Sequence, residues 1–411
     1  MHLASYGIED IFLTGEPQIT YFKIVYRRHT NFSVEEIRQN FIQLTDFGTK
    51  VTAPLSRNGD LAKEITLIAT LPRITEFTDG ISKAAWVRNI GYRLIKSISI
   101  EINGRTISKH YGEWMFLFNE LFNPQNDKIN KMVGNIPELY NFTSSKESYK
   151  LYIPLQFWFN RRPGLALPLA ALHKHEVRLH FEIRDNTNLV YYDDGDTKYY
   201  VNAPAVSSDD FIKVFADYIY LDADERRRFS QLPMEYLIEQ VQFNGDEHYP
   251  GNTNTNHSGT KLSKTSLNFI NPVKELIWVY TKDTPDVDNN RLFNFSNSGA
   301  GVFTTAKLVL DGIDFQTERN ANYFLLEQNR QHHTNIPRFS SSFNQFIYTY
   351  SFALRPEEHQ PSGFCNFSRL NESSLVITYP YLTDDWTLKV FAVSYNIFRI
   401  VDGMGGLVFT K

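Results

Sequence analysis

One cysteine, Cys365, stands in 411 residues, so no disulfide can form within the chain and a reducing compartment suits it. No flanking His or basic residue activates that thiol, and the expectation is a small buried apolar side chain. Long apolar runs are missing as well. The most apolar windows, 165–172 and 276–280, fall far short of the roughly 20 residues that cross a bilayer, so any relation to a membrane would be peripheral. The opening residues MHLASYGIEDIF carry Glu9 and Asp10 and lack the basic start and apolar stretch of a secretory leader, and no leader is expected. There is no excess of positive charge either. Lys and Arg number 42 against 46 Asp and Glu, a formal charge of −4, which excludes the concentrated basic surface that wraps nucleic acid; direct genome binding is not expected. The spacings GxxxxGK[ST], GxSxG, HExxH and CxxC do not occur, which removes the commonest signals for nucleotide, hydrolase and zinc chemistry.

What the chain does have is aromatic rings, 15% of its residues, with Phe 32 and Tyr 23. Such rings fit the half-buried surface of a sheet. Short runs with period-two alternation recur between clusters of Gly, Pro, Asn and Asp, the pattern of a sandwich or barrel. The run SISIEI puts Ile98, Ile100 and Ile102 on one face and stops at Asn103-Gly104, a dipeptide that tolerates positive φ.

The two halves of the chain repeat this order. Ala62-Lys63-Glu64-Ile65 matches Val273-Lys274-Glu275-Leu276, and the turn at Asn103-Gly104 matches Asp311-Gly312. An aromatic, helix-compatible piece follows each turn, at 111–117 and 321–326. Gly164-Leu165 then matches Gly363-Phe364, and the run from Val177 to Phe181 matches that from Leu375 to Tyr379. Ordered matches with slowly drifting spacing mean two copies of one β-domain. About eight strands per copy with long connections gives an all-β fold of two consecutive eight-stranded jelly-roll β-sandwiches with a few short helices. The expected division is a base segment at 1–30, a first roll at 31–221, a linker at 222–235 and a second roll at 236–411. In the linker, Asp222 with Glu225 three residues on reads as a helix N-terminus, and Pro233 as its stop. The polar stretches 119–150, 185–210, 244–264 and 283–301 are expected to be exposed loops.

Candidate chemistry is sparse. His173 and His175 share a strand face near His180, but a metal pair there lacks further ligands. Asp193, Asp194 and Asp196 around Gly195 lack the spacing of a calcium loop. Sequons occur at Asn31, Asn141, Asn256, Asn294, Asn366 and Asn371, and chance sequons in an Asn-rich chain are the default without a leader. More weight goes to three basic clusters, Arg27-Arg28-His29, Arg161-Arg162 and Arg226-Arg227-Arg228, whose guanidinium forks suit carboxylates across subunit contacts.

Four long segments, LTGEPQITYFKIVYRRHTNFSV, YLDADERRRFSQLPMEYLIEQVQ, FALRPEEHQPSGFCNFSRLN and YNIFRIVDGMGGLVF, resemble the major capsid proteins of nucleocytoplasmic large DNA viruses, and the likeness covers nearly the whole chain. The resemblance implies a virion component with no cofactor and no enzymatic activity. It further implies homotrimers with a pseudo-hexagonal outline, tiled into an icosahedral shell over an internal membrane, with minor capsid proteins as partners and assembly in the host cytoplasm. It also places the N-terminal segment at the inner base of the capsomer, where Arg27, Arg28 and His29 would meet acidic groups of a neighbour, while Arg226, Arg227 and Arg228 would clamp within or between subunits. Two other readings of paired jelly rolls are a glycan-processing enzyme and an assembly scaffold of the same fold. An enzyme would need acids converging in one pocket, and here they scatter over loops.

Overall fold

Strands form where β-branched and aromatic residues alternate with polar ones, and burial follows the alternation. In Val177–Ile183, Val177, Leu179, Phe181 and Ile183 are buried while Arg178, His180 and Glu182 face outward. The computed structural model describes residues 7–122, 127–206, 211–251, 259–284, 293–297, 299–335, 339–340, 343–344 and 346–410.

The first roll is built from β1 (Phe32–Gln39), β2 (Lys50–Pro54), β3 (Leu61–Leu71), β4 (Ile95–Ile102), β5 (Arg105–Tyr111), β6 (Tyr149–Pro154), β7 (Val177–Ile183) and β8 (Ile212–Leu221). One antiparallel sheet runs β1-β8-β3-β6 and the other β2-β7-β4-β5. The second roll uses β9 (Met234–Tyr249), β10 (Thr260–Ser266), β11 (Pro272–Lys282), β12 (Thr305–Leu310), β13 (Ile313–Asp314), β14 (Tyr348–Ser351), β15 (Ser373–Pro380) and β16 (Trp386–Val401). Its sheets run β9-β16-β11-β14 and β10-β15-β12-β13. Every pairing of the first roll therefore recurs in the second with the strand number raised by eight, which is the jelly-roll topology twice over.

The segments matched between the halves fall on equivalent places. Asn103-Gly104 and Asp311-Gly312 are the β4–β5 and β12–β13 turns, with φ of 52° and 75° and of 50° and 75°, the left-handed pair a two-residue hairpin turn needs. Gly164 precedes the short strand Leu167–Pro168, which pairs the start of β3, and Gly363 precedes Cys365–Asn366, which pairs the start of β11. The aromatic pieces become the helix Gly112–Phe122 and the π-helical turn Tyr323–Glu327.

The expected exposed loops are corrected in part. Within 119–150 the chain forms helices Asp127–Val133 and Pro137–Tyr140, and Val133, Ile136 and Leu139 enter the core. One buried residue in each helix, with Ile136 between them, is enough to seat the pair, although the surrounding composition is polar. Within 185–210, Val190–Asp193 pairs with Lys198–Val201 and with Lys83–Trp86 in a separate three-stranded sheet. Tyr249 ends β9 in the core, and Phe293 stacks on Phe116 at 4.6 Å. Cys365 is half-buried, and burial followed by the field of Asp311 pushes its thiol pKa up.

Rings weld the rolls together. Tyr111 meets Phe243 at 5.1 Å, Trp114 meets Phe391 at 5.7 Å, and Trp158 meets Phe398 at 5.9 Å. Gln240 Nε2 donates to the Ile107 carbonyl across the same seam. Each fully buried ring of this kind contributes on the order of 1.5–3 kcal/mol, and one continuous core spans both rolls.

Candidate assembly surfaces and the junction between the rolls

Before β1 begins, residues 7–31 hold one turn of helix, Ile11–Thr14, and no strand. The segment is apolar yet uncovered. Phe12 is 93% and Phe22 99% exposed, and Ile8, Leu13, Ile19, Tyr21, Ile24, Val25 and Tyr26 are exposed with them. Contiguous apolar surface of this extent marks an interaction site. Arg27, Arg28 and His29 sit at the root of this arm. Neither arginine makes an ion pair or side-chain hydrogen bond with a described residue, and His29 Nδ1 lies 2.7 Å from the Thr30 carbonyl, to which it donates.

The second basic cluster rides on the helix Ala223–Gln231, capped by the Asp222 carboxylate, which accepts from the Glu225 amide at 2.8 Å. Arg226 is committed to its own chain. Its Nε lies 2.8 Å from Asp60 Oδ1 and its Nη2 3.0 Å from Oδ2, a two-pronged pair, and Asp60 Oδ2 also accepts from the Leu221 amide at 2.8 Å. Arg227 lies 3.8 Å from Asp224, one helical turn away, and Arg228 is exposed.

Arg161 of the third cluster crosses between the rolls. Its Nη1 donates to Glu239 Oε2 at 2.6 Å and its Nε to the Gln156 carbonyl at 3.1 Å, with the guanidinium 4.5 Å over the Phe118 ring. The other Glu239 oxygen accepts from Lys274 Nζ at 2.7 Å. Burial alone would raise the Glu239 carboxyl; Lys274 and Arg161 outweigh it, and its pKa falls below the ordinary value. Glu113 repeats the device. Burial pushes it up, but Lys389 of the second roll at 3.5 Å, with Arg184 and Arg93 of the first, brings it down. Glu275 goes the other way. It is fully buried, its Oε2 lies 3.4 Å from His333 Nε2, and burial raises its pKa.

Lys274 and Glu275 match Lys63 and Glu64 in the repeat, but Lys63 and Glu64 pair with each other at 2.7 Å on the surface. The inner copy of the dipeptide has become the polar heart of the seam. Sequence reading missed this, because identical residue types stand at both places.

The family model described as "Major capsid protein N-terminus" matches residues 20–222, and the one described as "Large eukaryotic DNA virus major capsid protein" matches residues 225–406. The major capsid protein of Pyramimonas orientalis virus is 41% identical over 100% of this chain and 99% of its own length. That of Paramecium bursaria Chlorella virus 1 is 35% identical over 100% and 98%. The chain belongs to the major capsid proteins of large eukaryotic DNA viruses. A chain of the quasi-atomic PBCV-1 virus capsid superposes with a TM-score of 0.76 at 30% identity, covering 95% of this chain and all of that one. The Faustovirus major capsid protein, 11% identical, shares the fold with a TM-score of 0.73 over 97% of this chain and 95% of its own.

As a capsid protein this is a structural component of the virion, and its remaining polar clusters have structural partners. His180 bridges Thr52 at 2.9 Å and Glu101 at 3.1 Å, and His175 Nδ1 accepts from the Gly405 amide at 3.1 Å. His173 packs under Gly403. Asp194 accepts from the amides of Asp196 and Thr197, and Asp193 from that of Gly195, closing a hairpin turn. Among the described residues no three His, Cys, Asp or Glu side chains converge as a metal set, and no helix is long and apolar enough to cross a membrane. Of the sequons, Asn31, Asn141 and Asn371 are exposed. The side chains of Asn294 and Asn366 accept from Ser296 and Ser368 two residues on, and Asn256 lies outside the described residues.

Proposed function

We propose that this capsid protein works as a homotrimer with a pseudo-hexagonal outline, and that the trimers tile an icosahedral shell in contact with minor capsid proteins, close to an internal membrane and without touching the genome. Assembly takes place in the host cytoplasm. The observation that carries this reading is the arm: residues that a lone subunit leaves almost wholly in water, Phe12 and Phe22 among them, need cover from another chain. In this reading 1–30 is a base segment, 31–221 and 236–411 are the rolls, and 222–235 links them.

Arg27, Arg28 and His29 then meet acidic groups of a neighbouring subunit or minor capsid protein. Arg226 fixes the linker helix to Asp60, so that Arg227 and Arg228 stand ready for contacts outside the chain. The double variant Arg27→Glu, Arg28→Glu tests this. Circular dichroism and the melting temperature should match the parent, while association into capsomers or lattices weakens. Loss of the folded signal would instead make the pair part of an intramolecular network.

A further inference from the structure

An unpaired strand edge is a template for another strand, and folded chains close such edges. The outer side of β2 is closed by the chain before it: the Ile42 amide donates to the Thr52 carbonyl at 2.9 Å and the Thr52 amide to Gln43 Oε1 at 2.7 Å. At β14, Gln328 Oε1 accepts from the Ser351 amide at 3.0 Å, and Asn329 Nδ2 donates to the Ile347 carbonyl, just before the strand, at 3.0 Å. β1 has no such cover. Among the described residues the backbone of 32–36 bonds only to β8, and every side chain on one face of β1, Phe32, Val34, Glu36 and Arg38, is exposed.

The chain also carries a segment that fits this edge. Residues 24–31, IVYRRHTN, run straight into β1 with no secondary structure of their own. Ile24, Val25 and Tyr26 are strand-forming residue types, and all three are exposed. No glycine or proline stands between Gln18 and Asn31 to turn the segment back along its own β1. Laid parallel to a β1 strand at an offset of eight residues, Ile24 falls beside Phe32, Tyr26 beside Val34 and Arg28 beside Glu36 on one face, with Arg27 beside Glu35 on the other. Apolar side chains thus meet apolar ones, and both arginines meet acids. The antiparallel alignment that keeps both charge pairs sets Val25 against Arg38 and His29 against Val34, a poorer match. Arg27, Arg28 and Glu36 have no ion-pair partner among the described residues, and Glu35 accepts only from the Tyr220 hydroxyl, at 2.9 Å.

We propose that residues 24–31 of one copy add to β1 of the next copy as a parallel strand. The contact is head-to-tail: each copy gives one arm and receives one, so a ring of three closes with no free arm and no bare β1. The inference rests on the homotrimer reading and names what the arm touches within it.

Charge exchange in the full chain tests it, read by light scattering on dilution. Arg28→Glu and Glu36→Lys each set like charges side by side, and each should raise the concentration at which trimers dissociate by about tenfold or more. Both changes in one chain should bring it back to within about threefold of the parent, because the pair is restored with its signs reversed. Arg27→Glu combined with Glu36→Lys, on opposite faces, should not recover. Circular dichroism checks that the variants fold. Should a charge variant fail to, a benzophenone amino acid in place of Tyr26 decides alone: irradiation should join chains in pairs and threes on a denaturing gel, with mass spectrometry placing the links at 33–35 of another copy. Trimers that crosslink elsewhere, or a paired reversal of Arg28 and Glu36 that does not recover, overturn the strand exchange and leave the homotrimer standing. A chain that stays monomeric overturns both.

Discussion

Glu239 accepts from two cations on different rolls, and its loss would leave Lys274 buried without a counter-charge. Removing one partner of a buried pair costs about 3–5 kcal/mol, so Glu239→Gln should lower the urea midpoint by that equivalent. The same residue sets an acid limit. The Glu239 and Glu113 carboxyls titrate below their ordinary value of 4.5, so near that pH the unfolded chain binds more protons than the folded one. Their stabilisation is present above about pH 4.5 and is lost as pH falls through the depressed folded values. Melting temperature against pH should therefore drop below about 4.5, and less steeply in Glu239→Gln. Glu275 has the opposite sign: its raised pKa gives stability that is complete below the unfolded value and lost as pH rises through the folded one. Glu275→Gln, which imitates the protonated form, should be milder at pH 7 than Glu239→Gln. Equal losses in the two variants would contradict this division of roles.

Among the elements, the hairpin turns show how close contact adds to local strain. Asp402-Gly403 has φ of 50° and 80°, and a Cβ on Gly403 would come within 2.4 Å of the His173 ring; one on Gly104, at φ 75°, meets nothing within 4 Å. Gly104→Ala should cost only the left-handed penalty, about 1–2 kcal/mol. Gly403→Ala should cost slightly more in chemical denaturation, because the exposed His173 ring must swing aside and the Lys174 amide bond to the Gly403 carbonyl, 3.1 Å, lies beside it. Turns of this kind were legible in the sequence, as was strand order, because alternation and turn dipeptides act within a few residues. The Asp222 cap was legible for the same reason. The helix 127–133 was not, since the seat of Val133 at its end depends on β6 and on the turn Ile90–Leu94 packed beside it. Nor was the Arg226–Asp60 clamp, whose partners lie 166 residues apart, or the burial of Lys274 and Glu275, which follows only from roll meeting roll.

At the scale of the molecule, two rolls of one topology give a subunit with similar flanks. In the proposed homotrimer, three such subunits around a threefold axis would present about six comparable sides. Closure would cover apolar surface of the arm and the open edges of β1 and β9. Light scattering at decreasing concentration should hold near three times 47.8 kDa, since large apolar interfaces dissociate slowly. The most direct test is electron microscopy of the purified full-length protein. The expected image is a threefold particle with a six-sided outline; a uniform field of single two-roll subunits would contradict the capsomer reading.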